Sequence, residues 1–295
     1  MNDQNTPGQS DVLPMRSVLL KHARVAFADQ PTLDTEWEDL GYLGRPDFAG
    51  AVAEYEDFLA LLESLKVEVS LAPADPETGP DSMYVRDAAV VSDRGAILCR
   101  MGKRAREGEP AAAERALRAA GVRIVGHIDG SGRLEGGDVA WIDERTVAVG
   151  RGYRTNGEGI RQLHSLLGAD VDRVVPVPLP HWRGPRDVFH LMSMFSPVDR
   201  DLAVVYSPLL PVPFRQLLLE KGYDLVEVPD EEFETMGCNV LAVGPRRCIA
   251  LEGNPITRQR LEAAGAEVHT YRGREISVRG GGGPTCLTRP LVRSE

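Results

Sequence analysis

The sequence predicts an α/β protein built as a closed ring of five ββαβ units. Three observations predict this fold: a hairpin pattern recurs along the chain, a helical segment and a short strand follow each hairpin, and an N-terminal strand is available to complete the last unit. In the hairpin pattern a polar residue precedes two short apolar runs that flank a turn. Five segments carry this pattern in full or in part: 86–100, 136–150, 189–205, 237–253 and 283–293.

The residues at the head of these segments recur at a nearly constant interval of about 50 residues. They are Asp87, Asp138, His190, Asn239 and Cys286. In a ring of equivalent units these five side chains would meet near the axis. The alternative is an open α/β sheet whose hairpins happen to be evenly spaced.

The segments between the hairpins supply the remaining elements in order. The N-terminal part predicts a strand over 15–25, then a helix followed by a strand over 49–72. Helices follow the four complete hairpins, and Gly121 and Gly168 are typical C-caps of the first two. The four helical segments are 111–121, 155–168, 213–223 and 257–268. Because the segment around Cys286 has a single apolar run, the N-terminal strand would supply what the fifth unit lacks.

The net charge and the composition restrict the classes of binding partner that the chain is expected to have. The 295 residues include 34 Lys and Arg against 44 Asp and Glu, a net charge of −10. Such a field repels nucleic acid and anionic lipid and favours small cationic ligands. No apolar run approaches the roughly 20 residues that span a bilayer. We therefore expect neither a nucleic-acid nor a membrane partner.

The N-terminus and the cysteines indicate organisation and compartment. Residues 1–14 are polar and lack the apolar core of a signal peptide, so they predict a disordered tail before a single domain over 15–295. The four cysteines form neither a CxxC pair nor a disulfide framework. A reduced, cytoplasmic location is the expectation.

Cys286 is the candidate nucleophile. It ends the run GGGGPTC (280–286), where glycines leave backbone N–H groups free to approach a ligand. A core strand would not tolerate that run cheaply, although a free cysteine is often only a small buried apolar residue. Cys99, Cys238 and Cys248 lie in or beside apolar runs and predict core filling.

A histidine and several carboxylates complete the candidate site. His190 is the candidate general acid/base, with His181 as its rival; a lone histidine is otherwise commonly structural. In EGGD (135–138), one of Glu135 and Asp138 can orient an imidazole while the other faces a substrate.

A second acidic segment, DSMYVRD, adds Asp81 and Asp87. Solvated turns are the alternative for these acidic groups. Several carboxylates around one thiol need a cation, and a guanidinium satisfies them through bidentate hydrogen bonds.

Metal and nucleotide chemistry are not indicated. Metal-dependent hydrolysis of guanidines would need a clustered motif such as D-x-H-x-D, which the sequence lacks. The GGGG run lacks the following helix and distal acid of a dinucleotide fingerprint. We therefore expect no metal and no cofactor.

Five motifs resemble the guanidino-group modifying superfamily, which contains arginine deiminases, dimethylarginine dimethylaminohydrolases and amidinotransferases. They are RD (86–87), EGGD (135–138), FHL (189–191), GCNVLAV (237–243) and GGGPTCLTRPL (281–291). The resemblance covers residues 15–293, and the chain length is close to that of the short dimethylarginine hydrolases. It implies a five-bladed α/β propeller with pseudo-five-fold symmetry and an active site on the pseudo-axis.

The resemblance also implies roles for individual residues. Cys286 matches the nucleophile, His190 the general acid/base, and Glu135 the carboxylate that holds the histidine. Asp87 matches the carboxylate that clamps the guanidinium, and Asp81 the one that meets the substrate amine.

At two further positions the chain matches the dimethylarginine hydrolases, and at two others it departs from one branch of the superfamily. Arg106 and Arg154 fall where dimethylarginine hydrolases have arginines for the substrate carboxylate. Met192 stands where deiminases have a second aspartate, which favours an alkylated guanidine. Arg86 stands where dimethylarginine hydrolases have glutamate, whereas Arg-Asp is the form of deiminases and amidinotransferases.

These observations predict a cysteine-dependent hydrolase that converts N-ω-methylated arginine or arginine to citrulline through an S-alkylthiouronium intermediate. The alternatives are an amidinotransferase, a non-catalytic repeat scaffold and a metal-dependent hydrolase. Loops 26–48 and 180–187 are expected to select the substrate, with Trp182, Arg183 and Arg186 near the entrance. A homodimer is possible on the family pattern.

Overall fold

A computed structural model describes residues 8–185, 187 and 189–295. Within these residues fifteen strands form five three-stranded sheets. The strands are β1 (Met15–Leu20), β2 (Glu68–Leu71), β3 (Ala89–Ser92), β4 (Gly95–Leu98), β5 (Ile124–His127), β6 (Val139–Asp143), β7 (Thr146–Arg151), β8 (Arg173–Pro178), β9 (Phe195–Asp199), β10 (Leu202–Val205), β11 (Asp224–Glu227), β12 (Leu241–Gly244), β13 (Arg247–Leu251), β14 (Glu267–Tyr271) and β15 (Arg289–Arg293).

Helices connect the strands. In the described part of the chain they are α1 (Ala23–Phe27), α2 (Gln30–Leu40), α3 (Phe48–Ser64), α4 (Glu109–Ala119), α5 (Gly157–Leu167), α6 (Val212–Glu220), α7 (Asp230–Phe233) and α8 (Pro255–Ala263). Each of these helices is too short or too polar to cross a membrane.

Every sheet repeats one topology. A hairpin supplies two antiparallel strands, a helix follows, and the third strand returns parallel to the second, as in β3–β4–α4–β5. The fifth sheet is β15–β1–β2, in which β1 is antiparallel to β15 and parallel to β2. The two ends of the chain thus complete one unit and close the ring. This arrangement confirms the predicted five ββαβ units and the predicted role of the N-terminal strand.

The two predicted C-cap glycines follow their helices, and a polar side chain caps the start of one of them. Asn156 caps α5 by accepting a hydrogen bond from the Gly159 backbone N–H. Gly168 follows α5 with φ of 62°, and Gly121 lies just beyond α4 with φ of 79°. Both conformations favour glycine because they lie in the left-handed region.

The segment between the first strand and α3 differs from the prediction. The strand ends at Leu20 instead of residue 25, because His22 caps the short helix α1 through its own side chain. A further helix, α2, occupies what the sequence suggested was a loop over 26–48. Its N-cap Asp29 accepts a hydrogen bond from the Thr32 N–H, and a proline sits in its first turn.

Residues 8–14 correct the expected disordered tail over 1–14. Gln9, Ser10, Asp11 and Val12 are buried against the ring. Their polar composition predicted a loose segment, but the Asp11 carboxylate neutralises the buried guanidinium of Arg86 at 2.7 Å. The rest of the predicted tail, residues 1–7, lies outside the described residues.

The core lies between the sheets and the surrounding helices. Cys99, Cys238 and Cys248 are buried among its apolar side chains, in agreement with their predicted core-filling role. The neighbouring hairpins meet at the middle of the ring, where β9 contacts both β6 and β12. The residues that precede these strands are therefore brought together.

Candidate active site

Four of the five head residues line a single cavity, as the repeat predicts: Asp87, His190, Asn239 and Cys286. Each occupies the turn that leads into the first strand of its unit. The fifth, Asp138, lies behind the cavity. It is fully buried, and its Oδ1 accepts a hydrogen bond from the Leu191 N–H at 3.0 Å. The expectation that Asp138 faces a substrate is corrected, because the tight turn over 136–138 directs it to the backbone of the next unit.

His190 is held by two carboxylates. Its Nε2 lies 2.7 Å from Oε2 of the fully buried Glu135, and its Nδ1 lies 3.8 Å from Oδ1 of Asp87. Burial alone would lower the pKa of His190, but Asp87, Asp138 and Glu135 outweigh it and raise this pKa to about 9. The imidazole therefore carries a second proton at neutral pH.

Glu135 is fixed by several donors besides the imidazole. Its Oε1 accepts a hydrogen bond from the Gly102 N–H at 2.8 Å, and Arg154 Nη1 lies 3.3 Å from both oxygens. Burial alone would raise the pKa of Glu135, but the contacts with His190 and Arg154 hold it well below its usual range. Glu135 thus stays ionised and orients the histidine.

Cys286 is half-buried and follows the predicted glycine run. Asn239 Nδ2 lies 3.7 Å from its Sγ, and the same amide's Oδ1 accepts hydrogen bonds from the N–H and hydroxyl of Thr285. Burial, followed by the charge of Asp87, raises the pKa of the Cys286 thiol. The resting side chain is therefore a thiol, and it lines the same cavity as His190.

Glycine is required where the chain passes the site. A Cβ on Gly137 would lie 2.5 Å from His190 Nδ1 and 2.7 Å from Asp87 Oδ1. One on Gly283 would collide with the side-chain amide of Asn239. These close approaches explain why glycines flank both the acidic turn and the cysteine.

Asp87 accepts hydrogen bonds on both oxygens. The Gly137 N–H donates to Oδ1 at 3.0 Å, and Arg106 Nη1 donates to Oδ2 at 2.6 Å. Arg106 is buried and also forms a bidentate pair with Glu109 at 2.8 Å. The sequence placed Arg106 at a substrate carboxylate; here its guanidinium supports the proposed clamp, and the carboxylate role stays a prediction.

Arg154 and Asp81 line the same cavity. Arg154 is buried against Glu135. Asp81 pairs with Lys103, whose Nζ lies 2.5 Å from Oδ2 of Asp81. Sequence analysis missed Lys103, because a lysine in a charged loop gives no signal that distinguishes it from a solvated one.

The entrance carries the predicted loop residues. Trp182, which is 42% exposed, and Arg183 both line the cavity, and Arg183 pairs with Glu234 at 2.6 Å. Arg186 lies outside the described residues. The rival histidine, His181, is exposed and lies 2.6 Å from the Tyr153 hydroxyl. Met192, which stands where deiminases have a second aspartate, is buried in the cavity wall.

Three of these side chains are close enough to hold a metal ion. Ligand atoms of Asp87, Glu135 and His190 lie within 4.8 Å of one another. Their oxygens, however, already accept hydrogen bonds from backbone N–H groups and from Arg106 and Arg154. On Glu135 the Gly102 N–H, Arg154 and His190 use the oxygen positions that a metal ion would need, so this set fits a metal ion poorly.

Comparisons with known proteins identify relatives that match most of the chain. A Streptomyces coelicolor protein named N(G),N(G)-dimethylarginine dimethylaminohydrolase is 33% identical over 86% of this chain and 89% of its own. The structure of a Pseudomonas aeruginosa enzyme of that type, a cysteine-to-serine mutant complexed with citrulline, superposes with a TM-score of 0.76 at 23% identity. It covers 95% of this chain and 100% of that one.

An amidinotransferase shares the fold as well. SxtG from Microseira wollei superposes with a TM-score of 0.78 at 16% identity, over 99% of this chain and 98% of its own. The fold and the comparisons together define an amidine hydrolase of the guanidino-group modifying superfamily.

Residues 47–293 match the family described as N,N dimethylarginine dimethylhydrolase, eukaryotic. The chain belongs to that family.

Proposed function

We propose that this protein is a cysteine-dependent hydrolase of a guanidino substrate, N-ω-methylated arginine or arginine, and that it forms citrulline and an amine or ammonia. The observation that carries the proposal is the cavity shared by Cys286, His190 and Asp87. The names of the family and of its relatives support the same substrate class.

In the first step a thiolate attacks the guanidinium carbon. The bound cation offsets the charge of Asp87 and so favours release of the Cys286 proton to solvent water, which leaves a thiolate. A C–S bond forms, and an electron pair of the C=N bond moves onto nitrogen. Asp87 orients the planar guanidinium, because Arg106 and the Gly137 N–H hold its carboxylate in place.

His190 then donates a proton to the departing nitrogen. The C–N bond breaks, the amine leaves, and an S-alkylthiouronium remains on Cys286. The raised pKa of His190 keeps this proton available at neutral pH.

Water completes the reaction. The imidazole that has lost its proton accepts one from water, and the new C–O bond forms as the C–S bond breaks. As the C=O group of the ureido product forms, the added hydroxyl group gives up its proton and the departing thiolate takes it, so that Cys286 is again a thiol. Glu135 orients the histidine in both steps.

Product formation with excess EDTA tests this proposal. Purified protein is offered asymmetric dimethylarginine, arginine or agmatine separately, with Cys286→Ser as the control. We expect a ureido product from at least one compound and none from Cys286→Ser. Citrulline from dimethylarginine in preference to arginine would agree with the alkyl group lying against Met192. Activity lost to the chelator would contradict the proposal and favour a metal-dependent hydrolase.

The amidinotransferase is the second candidate, since an amine could replace water at the same covalent intermediate. Adding glycine or lysine separates the two: a new guanidino product in place of the ureido product would identify a transferase. A cytoplasmic location and a homodimer stay predictions.

A further inference from the structure

We propose that Lys103 makes the cavity select ω-guanidino acids that lack an α-ammonium group. The inference rests on the proposed function and, among guanidino substrates of the same reaction, ranks those without an α-ammonium group ahead of arginine. It depends on which group pairs with Asp81, the carboxylate that the family resemblance assigns to a substrate amine.

Lys103 occupies the position that such an amine would take. Its Nζ lies 2.5 Å from Asp81 Oδ2 and 2.6 Å from the Leu40 carbonyl oxygen. The side chains of Lys103 and Asp81 are 17% and 8% exposed, so water screens this pair less than a surface pair. Both residues line the same cavity as Cys286.

The second acceptor strengthens the position. Leu40 is the last residue of α2, so its carbonyl oxygen has no N–H partner within the helix. A cation is also favoured at this negative end of the helix dipole. Displacing the Lys103 ammonium would therefore break two contacts and leave a second positive charge beside the entering one.

The remaining donor points to a carboxylate ligand. An ammonium has three N–H groups, and the contacts with Asp81 and Leu40 use two of them. In the described residues Arg106 has its three nitrogens hydrogen-bonded to protein oxygens. Lys103 thus keeps one N–H group for a substrate, while Asp81 is already neutralised.

A matched pair of compounds tests the inference. L-Arginine and 5-guanidinopentanoate share one skeleton and differ only in the α-ammonium, and the same pair is prepared with two methyl groups on the terminal nitrogen. We expect the intact protein to have at least a ten-fold higher kcat/KM for the acid. Lys103→Met should free Asp81 and shift the ratio toward the amino acid by at least ten-fold.

The control is Arg104→Met, which removes one positive charge from the adjacent exposed position of the same short turn. It should leave the ratio unchanged. Thermal melting of both variants confirms folding, and Lys103→Gln serves if the methionine variant is unstable. A preference of the intact protein for L-arginine, or a ratio unaltered by the loss of Lys103, would overturn the inference.

Binding separates this inference from the reaction. Dissociation constants of the same compounds are measured by calorimetry on Cys286→Ser protein, with and without Lys103→Met. Absence of ureido product from every compound refutes the hydrolase, whereas the ratio of the dissociation constants still decides the role of Lys103.

Discussion

At the residue scale, the protonation states of His190 and Cys286 determine when the site reacts. His190 has its pKa raised to about 9 by carboxylates that outweigh its burial, and burial with Asp87 raises the pKa of Cys286. Both groups therefore hold their protons in the free protein at pH 7. The substrate's own positive charge is what makes the thiolate favourable, so a neutral analogue of the same shape should react poorly.

Alkylation of Cys286 by iodoacetamide measures its protonation directly. Because the thiolate is the reactive form and its pKa lies above the ordinary thiol value, the rate should be slow at pH 7 and still rise above pH 9. Asp87→Asn removes a negative charge beside the sulfur and should move the profile to lower pH. Peptide mass analysis distinguishes Cys286 from the buried Cys99, Cys238 and Cys248. A plateau already reached near pH 7 would contradict this account.

Single residues also mark the limit of sequence analysis. Cys286, His190 and Asp87 could be found because they occupy equivalent positions of a repeat, which the chain order makes visible. Lys103 and the support that Arg106 gives Asp87 could not, because each depends on a contact between loops that periodicity does not encode. The inward position of Asp138 depends on a turn whose direction the motif does not specify.

At the scale of elements, the N-terminal segment acts as part of the ring. Asp11 accepts hydrogen bonds from Arg86 at 2.7 Å and from the Trp141 backbone N–H at 2.8 Å, so it joins two adjacent units. Arg86 is 2% exposed and immediately precedes Asp87. The departure of Arg86 from the dimethylarginine hydrolase pattern thus has a structural partner in this chain. The polar composition of residues 8–14 predicted a tail because it does not reveal a buried partner.

Asp11→Asn should destabilise the fold strongly. It leaves the Arg86 guanidinium buried without its carboxylate, and breaking one side of a buried pair costs about 3–5 kcal/mol. Urea unfolding followed by circular dichroism measures the loss. Asp172→Asn is the matched control, because its pair with Arg145 is exposed and should contribute little. Equal effects of the two substitutions would show that Asp11 has no special structural role.

At the scale of the whole molecule, ring closure gathers residues that are far apart in sequence. The hairpin, helix and returning strand repeat four times, and strands from both chain ends complete the fifth unit. This periodicity was visible in the sequence, because apolar runs and turns recur with the units. The helix α2 was not, because a proline in a short polar segment also favours a loop. Its end nevertheless places the Leu40 carbonyl beside Lys103 and so shapes the cavity.

The central claim is that Cys286 carries the substrate carbon during turnover. Protein quenched in acid while it consumes dimethylarginine is digested, and the Cys286 peptide is weighed by mass spectrometry. The account predicts an added mass equal to the substrate less its departing amine, present on this peptide and absent from Cys286→Ser. Undiminished product formation by Cys286→Ser would contradict the claim.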